Sequence, residues 1–222
     1  MAVASIKIPA VKQSFYNDVS AKANQNKIVK TIRPQFGEII NRISAMSNVP
    51  SELIESFIFI ESGGNPNAES PYAVGLMQVG LATASDTLVK EKGAGRLSAE
   101  EIALLKKHLG SRYDSILEKV KPKQTSTGKT WITKADLLKP EFNILVGTIL
   151  LKQLMDEFTQ PDGSIRMDKV VVIYNTGRYG KVAKNTMTFG GNTEQLVATL
   201  PKETANYILK LLGTQGLLDT MV

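Results

Sequence analysis

Helical periodicity, repeated in several segments, constrains the fold of this 222-residue chain more than any other feature. The clearest segment is 140–158, PEFNILVGTILLKQLMDEF, in which apolar residues recur every three to four positions and form one stripe. Residues 201–213 repeat the pattern between Pro201, a residue type favoured at helix starts, and Gly213, a type favoured just past helix ends. Both segments therefore predict helices.

Two neighbouring segments ahead of these also have helical spacing. Residues 30–49 carry apolar side chains every three to four positions, with Pro34 breaking the pattern near its start. A second helix is expected directly afterwards, with Pro50 early and Glu52 in its first turn.

Capping signals predict one more helix in a part of the chain that is otherwise hard to interpret. In residues 98–110, Ser98 is the expected N-cap, Glu101 lies three residues further on, and Gly110 ends the helix. Residues 119–131 are polar and basic, which predicts a loop.

Residues 170–173, Val-Val-Val-Ile, are β-branched. Such residues are enriched in strands, so periodicity alone favours a short buried strand here.

The chain has no cysteine and one histidine, which excludes several kinds of site. Disulfides, zinc–thiolate sites, cysteine nucleophiles and a two-histidine zinc site are all impossible. A Ser-His-Asp triad would need His108, but that residue follows two lysines near a predicted helix end, which is typical of a surface cation. No metal ion and no cofactor is predicted.

The formal net charge of +6 suits an anionic partner such as nucleic acid, a membrane surface or cell-wall material. The lysines and arginines are spread along the chain, which weakens the nucleic-acid interpretation. No window of about 18 consecutive apolar residues exists, so no membrane span is expected. The first residues lack the charged and then apolar pattern of a secretory signal.

Glu61 ends the most apolar of the predicted helices. At about 100° per residue, the apolar side chains before it cover one arc of that helix, and Glu61 falls near the middle of the arc. Glu52 and Glu55 fall on the opposite side, where solvent is expected. Burial and the negative end of the helix dipole both raise the pKa of a carboxyl group, and a glutamate protonated near neutral pH can act as a general acid. Geometry alone leaves two alternatives: an ion pair with a core arginine, or escape to solvent at the helix end.

Residues 62–70, SGGNPNAES, cannot continue a helix, and the resulting turn would leave Glu61 at the edge of a cleft. The sequence Gly75-Leu-Met77-Gln78 then supplies a glycine for close backbone approach, a methionine to pack, and an amide that both donates and accepts. Such mixed polar and apolar surfaces suit sugars that carry N-acetyl groups.

Four blocks, in order, resemble the soluble lytic transglycosylase family, which shares the goose-type lysozyme-like fold. The first block is ESGGNPNA at 61–68, followed by Ser-Pro at 70–71, Gly-Leu-Met-Gln at 75–78 and Thr83. The second is the predicted helix at 137–158, which contains Asn-Ile at 143–144 and a glycine at 147. The third is Tyr-Asn-Thr-Gly at 174–177, and the fourth is ETANYILKLL at 203–212. Together they cover most of residues 48–213.

The resemblance implies an all-α, lysozyme-like fold. Residues 29–222 would form the transglycosylase domain, and residues 1–28 a short helical N-terminal extension or arm. It also implies that the β-branched run belongs to a buried helix that ends at Tyr174, and this expectation replaces the strand.

The implied reaction is cleavage of the β-1,4 bond between N-acetylmuramic acid and N-acetylglucosamine in peptidoglycan. Glu61 would protonate the leaving oxygen and then act as a base, while the muramic 6-hydroxyl attacks the anomeric carbon and leaves a 1,6-anhydro end. A glycoside hydrolase usually needs a second carboxylate. The segment SPYAVGLMQVGLAT contains none, although Glu69 and Asp86 flank it. A single acid and a non-hydrolytic product are therefore favoured.

The resemblance also implies a saccharide groove. Its predicted lining comprises Ser70, Met77, Gln78, Thr83, Tyr174, Asn175 and Tyr207. The Tyr174 phenol is expected to orient Glu61, and for Met77 a role in packing alone is an equal alternative. Ser62 is expected to brace the turn, and Asn65 to be a turn residue.

Without a signal, a cysteine or an anchor, the protein is expected to reach the cell wall or periplasm by another route. A bacteriophage protein fits, either carried in the virion with other virion proteins as partners or released at lysis. Three rival interpretations are a peptidoglycan-hydrolysing muramidase, a non-enzymatic wall-binding structural protein and a basic nucleic-acid-binding protein. Aromatic residues make up 6% of the chain and no stacking motif is visible, so no nucleic-acid partner is expected.

Overall fold

The computed structural model of the protein describes residues 11–116 and 132–219. Within these residues the regular structure is helical, and β-pairing is limited to isolated bridges. The predicted loop at 119–131 lies outside the described residues. The helices are α1 (Asp18–Lys27), α2 (Arg33–Ser47), α3 (Ser51–Ser62), α4 (Leu81–Gly93), α5 (Ala99–Leu109), α6 (Arg112–Ser115), α7 (Lys134–Leu137), α8 (Pro140–Glu157), α9 (Met167–Thr176), α10 (Lys181–Thr188), α11 (Thr193–Thr199) and α12 (Lys202–Leu212), and a π-helical turn (Ile28–Ile32) joins α1 to α2.

The helices predicted from periodicity and end signals are confirmed. The α5 helix begins with a complete capping box, in which the Ser98 hydroxyl accepts from the backbone of Glu101 and the Glu101 carboxylate accepts from the backbone of Ser98. Pro50 is the N-cap of α3, and Pro201 and Gly213 flank α12. Local sequence signals therefore fix these helix ends.

The β-branched run at 170–173 lies in α9, so the strand favoured by periodicity is wrong and the helix implied by the resemblance is confirmed. Every residue from Met167 to Ile173 is buried. A helix buried on all sides shows no polar face, and its sequence is then hard to distinguish from that of a buried strand.

Five helices were not predicted: α4, α6, α7, α10 and α11. The α4 helix begins after Gly80 without a side-chain cap, α6 and α7 have four residues each, and α11 has seven. Short or uncapped helices carry weak sequence signals, because their stability comes from packing rather than from local propensity.

The described chain divides into two units. We call the described residues of 32–153 the Glu61 unit, and the described residues of 1–31 and 154–222 the Tyr174 unit. In the Glu61 unit, α2 packs on α3 and α5; in the Tyr174 unit, α9 packs on α10 and α12. The α1 helix, which lies in the predicted extension, belongs to the Tyr174 unit, where the buried Val11 pairs with Gly213 in a single bridge. The domain boundary at residue 29 stays a prediction.

The solvent-exposed position predicted for Glu55 is wrong. Residues 53–58 of α3 are all buried, and Glu55 is 3% exposed. Arg33 of α2 donates to both carboxylate oxygens, with Nε–Oε1 at 2.8 Å and Nη2–Oε2 at 2.9 Å. Periodicity misplaces Glu55 because α3 has no face turned to solvent along this stretch, and an arginine from another helix stabilises the buried carboxylate.

His108 is also less exposed than a surface cation, since its side chain is 12% exposed. Its Nε2 lies 2.7 Å from Oε2 of Glu141, and its ring packs on Phe142 at a centroid distance of 5.4 Å. Lys107 and Arg42 also contact the Glu141 carboxylate. His108 thus joins Lys107 and Arg42 around the Glu141 carboxylate and connects α5 to the first turn of α8.

Candidate active site

Glu61 lies in the last turn of α3 and is partly exposed. Gly63 and Gly64 follow with φ angles of 62° and 86°, in the left-handed region that ordinary residues avoid. The Gly63 amide donates to the carbonyl of Phe59 at 3.0 Å and completes the helix end. The chain therefore turns away directly after Glu61, which leaves this carboxyl at a helix end instead of inside the helix.

The turn after Glu61 is held by its own side chains, as predicted. The Ser62 hydroxyl donates to the carbonyl of Ile58 at 3.0 Å and accepts from the amide of Gly64 at 3.2 Å. Asn65 Oδ1 accepts from the amide of Asn67 at 3.0 Å, which is a typical Asx turn. The bracing role of Ser62 and the turn role of Asn65 are confirmed.

Gln78 closes the loop that follows this turn. Its φ angle is 44°, and its Nε2 donates to the carbonyls of Ala68 and Gly75, both at 3.0 Å. Strained backbone of this kind persists where surrounding bonds hold it and is common at binding sites. Both amide hydrogens are used within the loop, so the amide oxygen of this partly exposed side chain is the group suited to accept from a ligand.

Asn143 of α8 ties the same loop to the core, and this role was not predicted. It is fully buried; its Oδ1 accepts from the amide of Met77 at 2.8 Å, and its Nδ2 donates to the carbonyls of Val74 at 2.8 Å and Leu137 at 2.9 Å. The sequence signal was present, since an asparagine in an otherwise apolar helix stripe needs buried partners. The sequence does not reveal which groups are those partners, because they are distant along the chain or belong to the backbone.

Two glycines make room for this arrangement. A Cβ added to Gly75, whose φ is 81°, would lie 2.6 Å from the carbonyl oxygen of Leu137, so the close approach predicted for this glycine is confirmed. A Cβ added to Gly147 of α8 would lie 2.6 Å from the sulfur of Met77. Met77 is fully buried, which corrects the prediction that its side chain lines the groove and agrees with the packing alternative.

The other predicted groove residues of the Glu61 unit are exposed. Ser70 accepts with its hydroxyl from the amides of Ala73 at 3.0 Å and Tyr72 at 3.3 Å, and Thr83 lies in the first turn of α4. Both belong, with Glu61 and Gln78, to one continuous segment of 23 residues, 61–83. The structure thus keeps these four residues in one unit.

The remaining three lie in the Tyr174 unit. Tyr174 is partly exposed and Asn175 exposed in the last turn of α9, whereas Tyr207 is buried on α12, which packs against α9. The predicted orientation of Glu61 by the Tyr174 phenol, and the groove roles of all three residues, stay predictions.

Buried charges hold α9 in place beneath Tyr174 and Asn175. The fully buried Asp168 accepts from Arg166 at 2.7 and 3.0 Å and from the Thr193 hydroxyl at 3.0 Å. Lys169 donates to the carbonyl of Met187 at 3.1 Å, and its burial lowers the pKa of its ammonium group. These bonds connect α9 to α10 and α11.

The two acids considered as partners of Glu61 have different surroundings. Glu69 is exposed and forms an ion pair with Lys134 at 2.6 Å. Asp86 is partly buried on α4. Within residues 11–116 and 132–219, no three His, Asp or Glu side chains cluster as metal ligands, and no helix is long and apolar enough to cross a membrane.

Comparison with known proteins adds independent information on the Glu61 unit. Residues 38–103 match the family model described as Transglycosylase SLT domain. The chain is also similar to the membrane-bound lytic murein transglycosylase E of Buchnera aphidicola subsp. Acyrthosiphon pisum (strain APS), with 31% identity over 115 residues, 50% of this chain and 49% of that protein. The chain thus spans about half the length of this curated relative. The family match contains Glu61, Ser70, Gln78 and Thr83.

Proposed function

We propose that this chain is a lytic transglycosylase that cleaves peptidoglycan glycan strands between N-acetylmuramic acid and N-acetylglucosamine and leaves 1,6-anhydro-muramic ends; the match of residues 38–103 to the Transglycosylase SLT domain and the similarity to a lytic murein transglycosylase support the proposal. The observation that carries the proposal is the position of Glu61. It lies within the family match, partly exposed at a helix end, and a loop fixed by Asn143 follows it.

Glu61 is proposed to act twice in this reaction. Its carboxylic acid donates the proton to the bridging oxygen as the bond from the anomeric carbon to that oxygen breaks, so the N-acetylglucosamine end leaves as an alcohol. The resulting carboxylate then accepts the proton of the muramic 6-hydroxyl while O6 bonds to the anomeric carbon. No water is consumed, and Glu61 ends the cycle protonated.

The surroundings of Glu69 support this non-hydrolytic product. A hydrolase usually uses a second carboxylate as nucleophile or base. Glu69, the nearest acid in sequence after Glu61, is paired with Lys134 on the surface. Gln78, Ser70, Thr83, Tyr174, Asn175 and Tyr207 are proposed to line the groove, with Met77 supporting the loop from the interior.

Mass spectrometry of the products tests the proposal. Purified peptidoglycan is digested with the wild-type protein and, as a control, with heat-inactivated protein. We expect muropeptides that are lighter by one water than muropeptides with reducing ends. Borohydride should not reduce these anhydro products, whereas it reduces ordinary reducing ends. Reducing ends would identify a muramidase instead, and no release of muropeptides would favour a wall-binding protein without activity.

The proposal extends to delivery. The chain would reach the wall in a phage particle, with other virion proteins as partners, or be released at lysis. Mass spectrometry of purified particles tests this part separately. Detection in particles supports carriage, detection only in lysates of infected cells supports a lysis role, and detection in the cytoplasm of uninfected cells contradicts both.

A further inference from the structure

Two strongly exposed tyrosines border the predicted saccharide motifs. Tyr72 is 88% exposed, between Ser70 and Gly75, and Tyr179 is 70% exposed, two residues after the Tyr-Asn-Thr-Gly motif. The other exposed large apolar side chains of the described chain, Phe15, Val19 and Val29, all precede α2. A single exposed apolar residue is ordinary on a protein surface, so its location and its support decide whether it has a function.

The backbone of Tyr72 is held firmly although its ring is exposed. The Ser70 hydroxyl accepts from the amide of Tyr72 at 3.3 Å, and the Ser70 amide donates to the carbonyl of Ala73 at 2.9 Å. A Cβ added to Gly80 would lie 2.8 Å from the carbonyl oxygen of Tyr72, so only a glycine permits this approach. Bridges from Val74 to Glu69 and to Val79 close the loop on both sides.

The chemistry of a tyrosine ring suits one face of a sugar. A pyranose presents a face of C–H groups that is apolar, while its hydroxyl and N-acetyl groups point outward from its edge. An aromatic ring offers a flat apolar surface whose negative face attracts those C–H groups. Tyrosine has two side-chain torsions, so fixing it on a ligand costs little conformational entropy. The same loop carries Gln78, whose amide oxygen suits the polar edge of a sugar.

We propose that Tyr72 is a stacking platform for one sugar ring of the glycan strand, in a subsite beside the bond that is cleaved. The inference rests on the proposed function and adds a binding residue to it. Tyr72 acts on strand binding and takes no part in proton transfer. Its removal should therefore raise KM and leave kcat nearly unchanged.

Steady-state cleavage of soluble, uncrosslinked glycan strands tests the platform with four proteins: wild type, Tyr72→Ala, Tyr72→Phe and Phe15→Ala. We expect Tyr72→Ala to raise KM about three- to tenfold, and Tyr72→Phe to restore a KM near that of wild type because it keeps the ring. Phe15→Ala is the matched control, an exposed aromatic outside both motifs, and should behave as wild type. Thermal denaturation verifies that each variant is folded.

A second measurement covers the case in which Tyr72→Ala does not fold. The dissociation constant for isolated sacculi is measured for two inactive proteins, Glu61→Gln and the double variant Glu61→Gln with Tyr72→Gln. The double variant should bind about three- to tenfold more weakly, which is the effect expected for the loss of one aromatic contact. Equal KM values and equal sacculus binding overturn the platform and leave the proposed function intact. A fall in kcat at unchanged KM overturns it as well. If the wild type neither cleaves nor binds peptidoglycan, the proposed function fails, and the platform fails with it.

Discussion

Glu55 and Glu61 lie six residues apart on α3, yet they differ in burial and in their position along the helix. Glu55 is in the middle of the helix, 3% exposed, and both its oxygens accept from the Arg33 guanidinium. Glu61 is in the last turn and partly exposed, and two glycines in left-handed conformations end the helix after it. The same helix thus carries one glutamate with a structural role, Glu55, and one candidate catalytic glutamate, Glu61.

The difference shows that burial and helix position, rather than the residue type, decide what a carboxylate can do. A buried carboxylate needs compensating donors, and a guanidinium fork supplies two of them in a fixed plane. Such a group is inaccessible to a substrate. The same fork recurs at other buried or partly buried acids of the described chain: Arg96 with Glu91, Arg112 with Asp136, and Arg166 with Asp168.

The largest effect is expected from Glu61→Gln. The amide keeps the shape of the side chain but cannot donate an acidic proton, so peptidoglycan cleavage should fall by about 10³-fold. The free energy of unfolding should change by about 1 kcal/mol or less, because the amide fills the same space as the carboxyl. Release of soluble muropeptides and urea denaturation measure the two quantities. Glu69→Gln is the matched control and should retain activity; an equal loss there would indicate a second catalytic acid.

Asn143→Ala should affect the Glu61 side of the comparison, because Asn143 connects the loop after Glu61 to α8. The change removes three hydrogen bonds and leaves the buried amide of Met77 and two carbonyls unsatisfied, which should cost about 3 kcal/mol of unfolding free energy. Activity should fall at least about tenfold at temperatures where the protein stays folded, as expected for a misplaced loop. A decrease of less than about 1 kcal/mol in the free energy of unfolding, measured by urea denaturation, would contradict the role of Asn143 in anchoring the loop to α8.

Glu55→Gln should show the opposite pattern to Glu61→Gln. Loss of the carboxylate leaves Arg33 with a weaker partner. The Arg33 side chain is 46% exposed, so water can solvate its guanidinium group. We expect a loss of about 1–3 kcal/mol in unfolding free energy. The turnover per folded molecule should stay within about twofold of wild type, since no transition-state contact is removed. Glu52→Gln, an exposed glutamate of the same helix, is the control and should change little. Loss of activity by Glu55→Gln at an unchanged free energy of unfolding would contradict a purely structural role for Glu55.

A pH effect extends the comparison to Asp136. Burial opposes ionisation of this carboxyl, but hydrogen bonds from Arg112 and Thr133 outweigh it and hold its pKa well below the usual range. An acid whose pKa is lowered by folding stabilises the protein above its unfolded pKa of about 3.9, and that stability is lost as the pH falls further. The difference in unfolding free energy between wild type and Asp136→Asn should therefore be constant above about pH 5 and shrink between about pH 4 and 2. A difference that does not change with pH would exclude this linkage.

The sequence was most informative where structure depends on nearby residues. The capping box from Ser98 to Glu101 and the glycine turn after Glu61 are local, and the motif order identified the all-α, lysozyme-like fold that the helices and the family match support. The failures involve distant partners. Arg33 is 22 residues from Glu55, and Asn143 is 66 residues from Met77, so no periodicity could reveal either contact.

The central claim is that Glu61 supplies the proton to the leaving oxygen, and a comparison of leaving groups tests it most directly. The rate of bond cleavage is measured for wild type and Glu61→Gln on a natural glycan strand and on a strand fragment that carries an aryl leaving group, which needs little protonation. We predict that the advantage of wild type, about 10³-fold on the natural strand, shrinks to about tenfold or less on the aryl substrate. An equal advantage on both substrates would contradict the account.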